Sequence, residues 1–307
     1  MRVYKYSMLL IAFLMFSFST EAVEKERLVK KTYKVDSKTE LKIKNSFGKV
    51  EVESYDGNEI SIEVRIWAKG SSEKKVSKFV NSIDIDFDES RDEIEVVTSS
   101  ISNNGKVKKF VVDYTVRIPV ENYLKIENSF GNVTIGSHKG VVKLNVRFGN
   151  IKAKNITNNE NKIDLQFGNG TINKYGSGEI ELQHSNLDIN SVLDLNLDSE
   201  FSNTKAKEVV RTIKAEVSHG SLDVKTLYSK FESIKIEAEF SQIDLKTDGN
   251  ASYTLKYKGS FSSFSKPKNL EVTNRDNGYT SEEITGKVNN GGSMVNLKLS
   301  HSTLSIK

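Results

Sequence analysis

The sequence predicts an all-β protein: a parallel β-helix-like solenoid of ~18-residue repeats, preceded by an N-terminal antiparallel region carrying one short helix. Three observations predict it. The stretch Leu124–Ile135, LKIENSFGNVTI, restates the earlier Leu41–Val52, LKIKNSFGKVEV, and returns in degraded form to the C-terminus. Val, Ile, Leu, Phe and Thr alternate with polar residues along most of the chain, and Gly, Asn and Ser punctuate them, which is the signature of strands and turns. A single window changes to helical spacing.

Residues 1–22 read as a signal peptide. Arg2 and Lys5 form a basic start, Met8–Phe18 is an apolar run too short for a comfortable membrane span, and Thr20-Glu21-Ala22 places small residues for cleavage after Ala22. An uncleaved anchor is the alternative. The protein is therefore expected to be exported, to the periplasm, the cell surface or beyond, with no transmembrane segment left after cleavage. It has no Cys, so it has neither disulfides nor a lipid-anchor thiol. Removing Arg2, Lys5 and Glu21 turns 45 basic and 41 acidic residues into 43 and 40, a net of +3. Lys and Glu interleave along the strands as a solvated face, and no clustered basic patch points to nucleic acid.

In the N-terminal region, expected over 23–120 as a cap, Glu24–Lys31 reads as a charged lead-in and Thr32–Asp36 as a first strand. Glu40–Glu53 is the first copy of the repeat. Asp56-Gly57-Asn58 turns the chain into Ile60–Ala68, where Ile60, Ile62, Val64 and Ile66 share a face and Trp67 lies opposite, as a packing residue. Val76, Phe79, Val80 and Ile83 then fall at i, i+3, i+4 and i+7. That spacing predicts a helix over about 72–82, with Ser72 as N-cap and Glu73 in its first turn. Ile83–Phe87, Glu93–Thr98 and Lys108–Pro119 alternate again as an antiparallel set, Pro119 terminal because it lacks an N–H. Asp84, Asp86 and Asp88 imitate a calcium loop but lack its central Gly and distal Glu. They read as the acidic face of a strand.

The repeat region is expected over 121–307. Its copies are anchored on Phe130, Phe148, Phe167, His184, Phe201, His219, Phe240, Phe261 and His301, with Phe47 anchoring the early copy. Most intervals are 17 to 21 residues, and the last is 40. Around most anchors apolar residues lie six, four and often two before and three and five after. Even spacing keeps one face of a strand, so the change of parity demands a corner just after the anchor. Gly48, Gly131, Gly149 and Gly168 sit there, where positive φ is cheap for glycine, and Asn132, Asn150 and Asn169 follow. A unit this short cannot bury its own apolar face, whereas stacked units can. Parallel stacking with Phe beneath Phe is favoured over an antiparallel meander in which each Phe-Gly-Asn is a hairpin turn.

On these features the chain resembles the bacterial "putative adhesin" family of exported β-strand-repeat proteins, also described as auto-transporter adhesins with a head-GIN domain. The likeness is carried by the N-S-F-G-N-V pattern of the two long copies, by RFGNI (Arg147–Ile151) and QFGNG (Gln166–Gly170), and by the helix-bearing insert ending in Arg117–Val120. It covers nearly the whole mature chain. It implies β-strand repeats and an adhesive or scaffolding role, and it brings no catalytic residues.

No reaction is legible. Three of the four histidines replace Phe at the anchor, and His184 and His219 would stand two units apart with Phe201 between, about 9.6 Å, too far to share one metal ion with bonds near 2 Å. No Ser lies in a G-x-S-x-G elbow, and no Gly-rich loop opens a helix for phosphate. Asp164, Asp188, Asp223 and Asp244 recur beside apolar positions, as an acidic face of a polysaccharide-active enzyme would, or as an ordinary solvent face. The expectation is a non-enzymatic envelope or surface protein without cofactor or metal, whose partners are surface glycan or envelope protein rather than nucleic acid. A polysaccharide-active β-helix enzyme and a periplasmic structural or envelope-stress factor are the alternatives.

Overall fold

A computed structural model describes residues 22–99, 101–105 and 107–307. The expected signal peptide, apart from Ala22, lies outside the described residues. β1 (Val23–Lys34), β2 (Glu40–Ser46), β3 (Val50–Tyr55) and β4 (Glu59–Gly70) lead into α1 (Glu73–Asn81), and β5 (Ile85–Glu89), β6 (Glu93–Thr98) and β7 (Lys109–Pro119) come after it. The expected lead-in at Glu24–Lys31 is in fact strand. All of β1 pairs antiparallel with β4, from Val23 opposite Gly70 to Lys34 opposite Glu59. Its alternating charges belong to an edge strand, where they discourage pairing with other chains, and Lys30 and Glu63 bridge at 2.5 Å.

The helix lies where its spacing predicts. Val76, Phe79 and Val80 are buried, and α1 packs against β1 and β4. Ser72 holds the N-cap position with extended backbone, but its side chain makes no capping hydrogen bond. Asp86 and Asp88 are exposed in β5 and alternate with half-buried Ile85 and Phe87, as a strand with an acidic face requires.

From residue 123 the strands come in pairs: β8 (Tyr123–Ser129) with β9 (Val133–Ile135), β10 (Val142–Arg147) with β11 (Ile151–Ile156), β12 (Asn161–Gln166) with β13 (Asn169–Tyr175). Then come β14 (Gly178–Gln183), the long β15 (Asn186–Glu200) and β16 (Asn203–Ser218), β17 (Ser221–Leu227), β18 (Ser233–Glu239) and β19 (Gln242–Thr247). The chain ends with β20 (Tyr253–Ser260), β21 (Ser263–Ser265), the hairpin β22 (Leu270–Asn277) and β23 (Ser281–Val288), β24 (Ser293–Ser300) and β25 (Thr303–Ile306).

These strands form one sheet, curled into a nearly closed, barrel-like wall. Two parallel ladders make its opposing sides. The first runs through β2, β8, β10, β12, β14, the second halves of β15 and β16, β18, β24 and β20. The second runs through β3, β9, β11, β13, the first halves of β15 and β16, β17, β19, β25 and β21. We call one strand from each ladder, with the corner joining them, a rung. Every pairing from β8 to β19 is parallel, so the Phe-Gly-Asn segments are not hairpin turns.

Alternation fixes which residues face inward, and register stacks them. Ile43, Ile126, Leu144, Ile163, Ile180 and Leu197 are successive partners, and each is buried. Each such side chain contributes roughly 1.5–3 kcal/mol, and a one-residue slip would turn a whole strand's set outward. β15 and β16 run through both ladders, with a bulge between Val192 and Asp194 where they pass from one to the other.

The C-terminal order departs from the chain order. β24 pairs with β18 on one side and β20 on the other, and β25 lies between β19 and β21. The last rung in sequence is thus inserted before the rung that precedes it. The 40-residue interval holds the β22–β23 hairpin, whose β23 covers the free edge of β20.

Candidate functional site

All ten anchors turn the chain in the same way. Phe47, Phe130, Phe148, Phe167, His184, Phe201, His219, Phe240, Phe261 and His301 have φ between 47° and 64°. This corrects the expectation that the adjoining glycines supply the positive φ. The anchor itself is left-handed, at a cost of about 1–2 kcal/mol, and Gly48, Gly131, Gly149 and Gly168 are not among the positive-φ residues. Those glycines serve close approach. A Cβ on Gly149 would lie 2.0 Å from the Gly131 carbonyl oxygen, and one on Gly168 1.9 Å from that of Gly149. At these glycine corners backbone stacks on backbone with no room for a Cβ.

The left-handed turn throws each ring outward. Phe130, Phe148 and Phe240 are about half exposed (52%, 50% and 50%), although the apolar residues that frame them are buried. The rings stack in one column. Phe47, Phe130, Phe148, Phe167, His184 and Phe201 succeed one another at 4.9–5.1 Å between centroids with planes within 10°. His219, Phe240, His301 and Phe261 continue it at 4.7–5.1 Å. Each stacked pair adds about 0.5–1.5 kcal/mol, which offsets the backbone cost. At the N-terminal end Phe110 tilts onto Phe47 at 5.3 Å and meets Phe79 of α1 edge-on at 5.1 Å. Ring faces are therefore consumed by neighbouring rings, and solvent meets ring edges.

Inside the corner, polar groups replace the missing contacts. Asn45 and Asn128, two before their anchors, are buried. Asn128 Nδ2 donates to the Gly131 carbonyl at 2.8 Å, and Asn45 Nδ2 to Asn128 Oδ1 at 3.1 Å. Where Ser comes after the anchor instead of Gly, its hydroxyl turns inward. Ser185 N–H donates to Ser202 Oγ at 2.9 Å, and Ser241 N–H to Ser302 Oγ at 3.0 Å. The serine exchange is visible in the sequence, but its buried hydroxyl ladder becomes legible only once adjacent rungs are known.

Beside the column runs an exposed amide ladder. Asn150, Asn169, Asn186 and Asn203 each donate Nδ2 to the Oδ1 of the previous member, starting from Asn132, at 3.0–3.3 Å. A second ladder links Asn173 to Asn155 at 2.9 Å and Asn190 to Asn173 at 3.1 Å. Amide ladders of this kind recur where identical polar side chains stack at strand spacing.

The candidate chemistry of the sequence is dispersed. His184 and His219 are separated by the ring of Phe201, and among the described residues no group of three or more His, Asp or Glu is placed to hold a metal ion. Asp164 points out from the first ladder, opposite Glu181. Asp188, Asp223 and Asp244 share a row on the second ladder, with Lys205 between Asp188 and Asp223. His138 stands apart from the column and is buried (1% exposed). Its Nε2 bonds the Asn122 carbonyl at 2.7 Å and its Nδ1 the Ser54 hydroxyl at 2.8 Å. Burial lowers its pKa, against the opposing influence of the Asn122 bond and of Glu121, so the ring is neutral, donating from Nε2 and accepting at Nδ1.

Two carboxylates of β15 show opposite electrostatics. Asp194 accepts from Arg211 Nε at 2.8 Å, from Thr212 Oγ1 at 2.8 Å and from Ser177 Oγ at 2.5 Å. Its pKa is drawn down to about 2, chiefly by Arg211. Asp198 lies in a row of acids with Glu181, Glu216 and Glu237 in register, and its pKa is raised, first by burial and then by Glu216, Glu181, Glu200 and Glu179.

Among the described residues no helix is long and apolar enough to cross a membrane. No family model and no curated protein matches the chain. Solved structures do resemble it. A putative adhesin from Bacteroides fragilis NCTC 9343 is 14% identical with a TM-score of 0.40, covering 92% of this chain and 97% of that one. A putative lipid binding protein from Parabacteroides distasonis ATCC 8503 is 10% identical with a TM-score of 0.39, covering 91% and 96%. A putative cell adhesion protein from Clostridium sporogenes ATCC 15579 is 10% identical with a TM-score of 0.21, covering 92% and 99%. Likeness at this level carries no argument about activity. Function has to be argued from the chain's own strand pairing and side-chain rows.

Proposed function

We propose that this protein is an exported, non-enzymatic component of the cell envelope or surface, built as a β-solenoid of ~18-residue rungs whose outer faces bind or scaffold polymers or proteins. The observation that carries the reading is the ten-ring column with its flanking amide ladder, which places like side chains at strand spacing along one side of the molecule. Long faces with regularly spaced polar groups match partners that are themselves repetitive. The dispersal of Asp164 from Asp188, Asp223 and Asp244 favours a binding face over a glycosidase cleft, which needs two carboxyl groups flanking one bond.

The test uses the mature chain from Val23. Labelled protein incubated with whole cells and with envelope polymer is expected to be retained and to be displaced by unlabelled protein, without release of reducing ends. Absence of retention overturns the binding role, and release of reducing ends overturns the non-enzymatic one.

A further inference from the structure

The two ladders carry charge differently. On the first, several outward lysines are matched by carboxylates: Lys162 bridges Glu179 at 2.9 Å and Glu181 at 2.7 Å, and Lys235 and Lys298 both reach Glu237, at 2.9 Å and 3.3 Å. On the second, Lys225 bridges Asp223 at 2.5 Å, whereas Lys152, Lys154, Lys205 and Lys207 enter no ion pair among the described residues, and all are exposed. Their register explains how they gather. Lys152, Thr171, Asp188 and Lys205 are successive partners across four rungs. The outer rungs present lysine, and the two between present shorter side chains: Thr171 and Asp188 in one row, Asn173 and Asn190 in the next.

The result is a trough of about 480 Å³ on the outside of the wall, with lysines at both ends and Ala153, Ile172 and Ile189 beneath. Its ends lie three rungs apart, roughly 14 Å at strand spacing. Along its floor the amides of Asn173 and Asn190 are aligned by hydrogen bonds, Asn190 to Asn173 and Asn173 to Asn155 beyond the trough, and each –NH2 of the two has a second donor to offer. Asp188 adds an acceptor.

We infer that this trough binds an acidic polysaccharide laid along the stacking direction, its carboxylates meeting Lys152 and Lys154 at one end and Lys205 and Lys207 at the other, its hydroxyls meeting the amide ladder and Asp188. The inference rests on the surface-binding reading and gives that reading its ligand class. Donors and acceptors mixed between cationic ends suit a chain that carries hydroxyls between its charges. A nucleic acid suits the trough less. Asp188 would oppose a phosphate placed between the cationic ends, and single-strand recognition needs free aromatic faces for stacking, whereas the faces of the anchor rings are occupied by one another.

The test is calorimetric titration of the mature protein with polygalacturonate oligosaccharides, with neutral dextran, and with DNA of matching length. Saturable binding of polygalacturonate that weakens toward about 0.15 M salt, with dextran and DNA weaker, is expected. Lys152→Gln with Lys154→Gln, and Lys205→Gln with Lys207→Gln, should each weaken binding roughly tenfold by removing paired charges. Lys143→Gln with Lys214→Gln on the first ladder should change it less than about twofold. Binding unaffected by the trough variants, DNA bound as tightly as polygalacturonate, or no binding at low salt overturns the inference. Wild-type retention on cells without polygalacturonate binding overturns the ligand class alone. Polygalacturonate binding without retention on cells overturns the surface role and leaves the trough standing.

Discussion

Phe240 stacks on His301, with ring centroids 4.8 Å apart and planes 17° from parallel, although Phe261 is the next anchor along the chain. Phe261 stacks on the far side of His301 at 4.9 Å. The C-terminal rung is a wedge between rungs that the chain has already laid down, and it buries Val295, Leu297, Leu299, Leu304 and Ile306 there.

A chain ending at Asn290 should therefore lose more than its last strands. β18 and β20 would each lose a parallel partner, as would β19 and β21, and five buried apolar side chains at roughly 1.5–3 kcal/mol each would go with them. The expected outcome is loss of order from β20 through β23, with earlier rungs retained because each contacts mainly its neighbours. Limited proteolysis checks it: cleavage should concentrate between 250 and 290. An unchanged digestion pattern would show that the wedge does not hold this end together.

This wedge is not legible in the sequence, because a repeat frame orders its copies along the chain and gives no sign that a later copy is inserted before an earlier one. The frame itself is legible, since inward positions must alternate, and all ten anchors lie in the column. The sense of the corner is not. Glycine is the usual residue at positive φ, but a competing need, approach of stacked backbones at Gly131 and Gly149, occupies the glycine and leaves the left-handed conformation to the aromatic. The lysine trough is hidden for a related reason. Lys154 and Lys207 are far apart in sequence with Asp and Glu between, and only the register removes the acids from their row.

Corner strain and stacking predict an inverted order of substitutions at Phe148. In a strand Gly is ordinarily worse than Ala. Here Phe148→Ala loses the stack but keeps a Cβ at φ 53°, whereas Phe148→Gly loses the stack and relieves the strain. The Gly variant should be the more stable by about 1 kcal/mol, with both below wild type. Gly149→Ala should be worse than either, because its Cβ meets backbone that cannot yield. Urea midpoints of the three variants decide it, and Ala above Gly at position 148 would contradict the strain account.

His138 predicts a pH dependence. Its folded pKa is lowered from 6.5, chiefly by burial, so the unfolded chain takes up a proton first. The stability linked to the neutral ring is present above about 6.5 and declines as pH falls below it, at up to about 1.4 kcal/mol per pH unit. Replacing the ring by His138→Gln should cost stability at pH 7 and flatten the slope between pH 7 and 5. Denaturation curves across that range test it, and an equal slope in the variant would assign the dependence to other groups.

Asp194 and Asp198, four residues apart on β15, should respond to neutralisation with opposite signs. Asp194 has a side chain 15% exposed and is held by the half-exposed Arg211, so its depressed pKa contributes stability above about 3.8 that is lost as pH falls toward about 2. Asp194→Asn should cost about 1–2 kcal/mol at pH 7, discounted for the solvent around Arg211. Asp198 has a raised pKa, so its charged form opposes folding at pH 7 and the opposition fades as pH falls through the folded pKa toward 3.8. Asp198→Asn removes one member of an acid row whose strand neighbours Glu181 and Glu216 are both acidic. It should raise the melting temperature at pH 7, and the gain should shrink toward pH 4. Melting curves of both variants at the two pH values separate the cases. A fall in melting temperature for Asp198→Asn at pH 7 would mean that the acid row is held by a cation or partner that compensates its charge, and would move the search for ligands from the lysine trough to the opposite face.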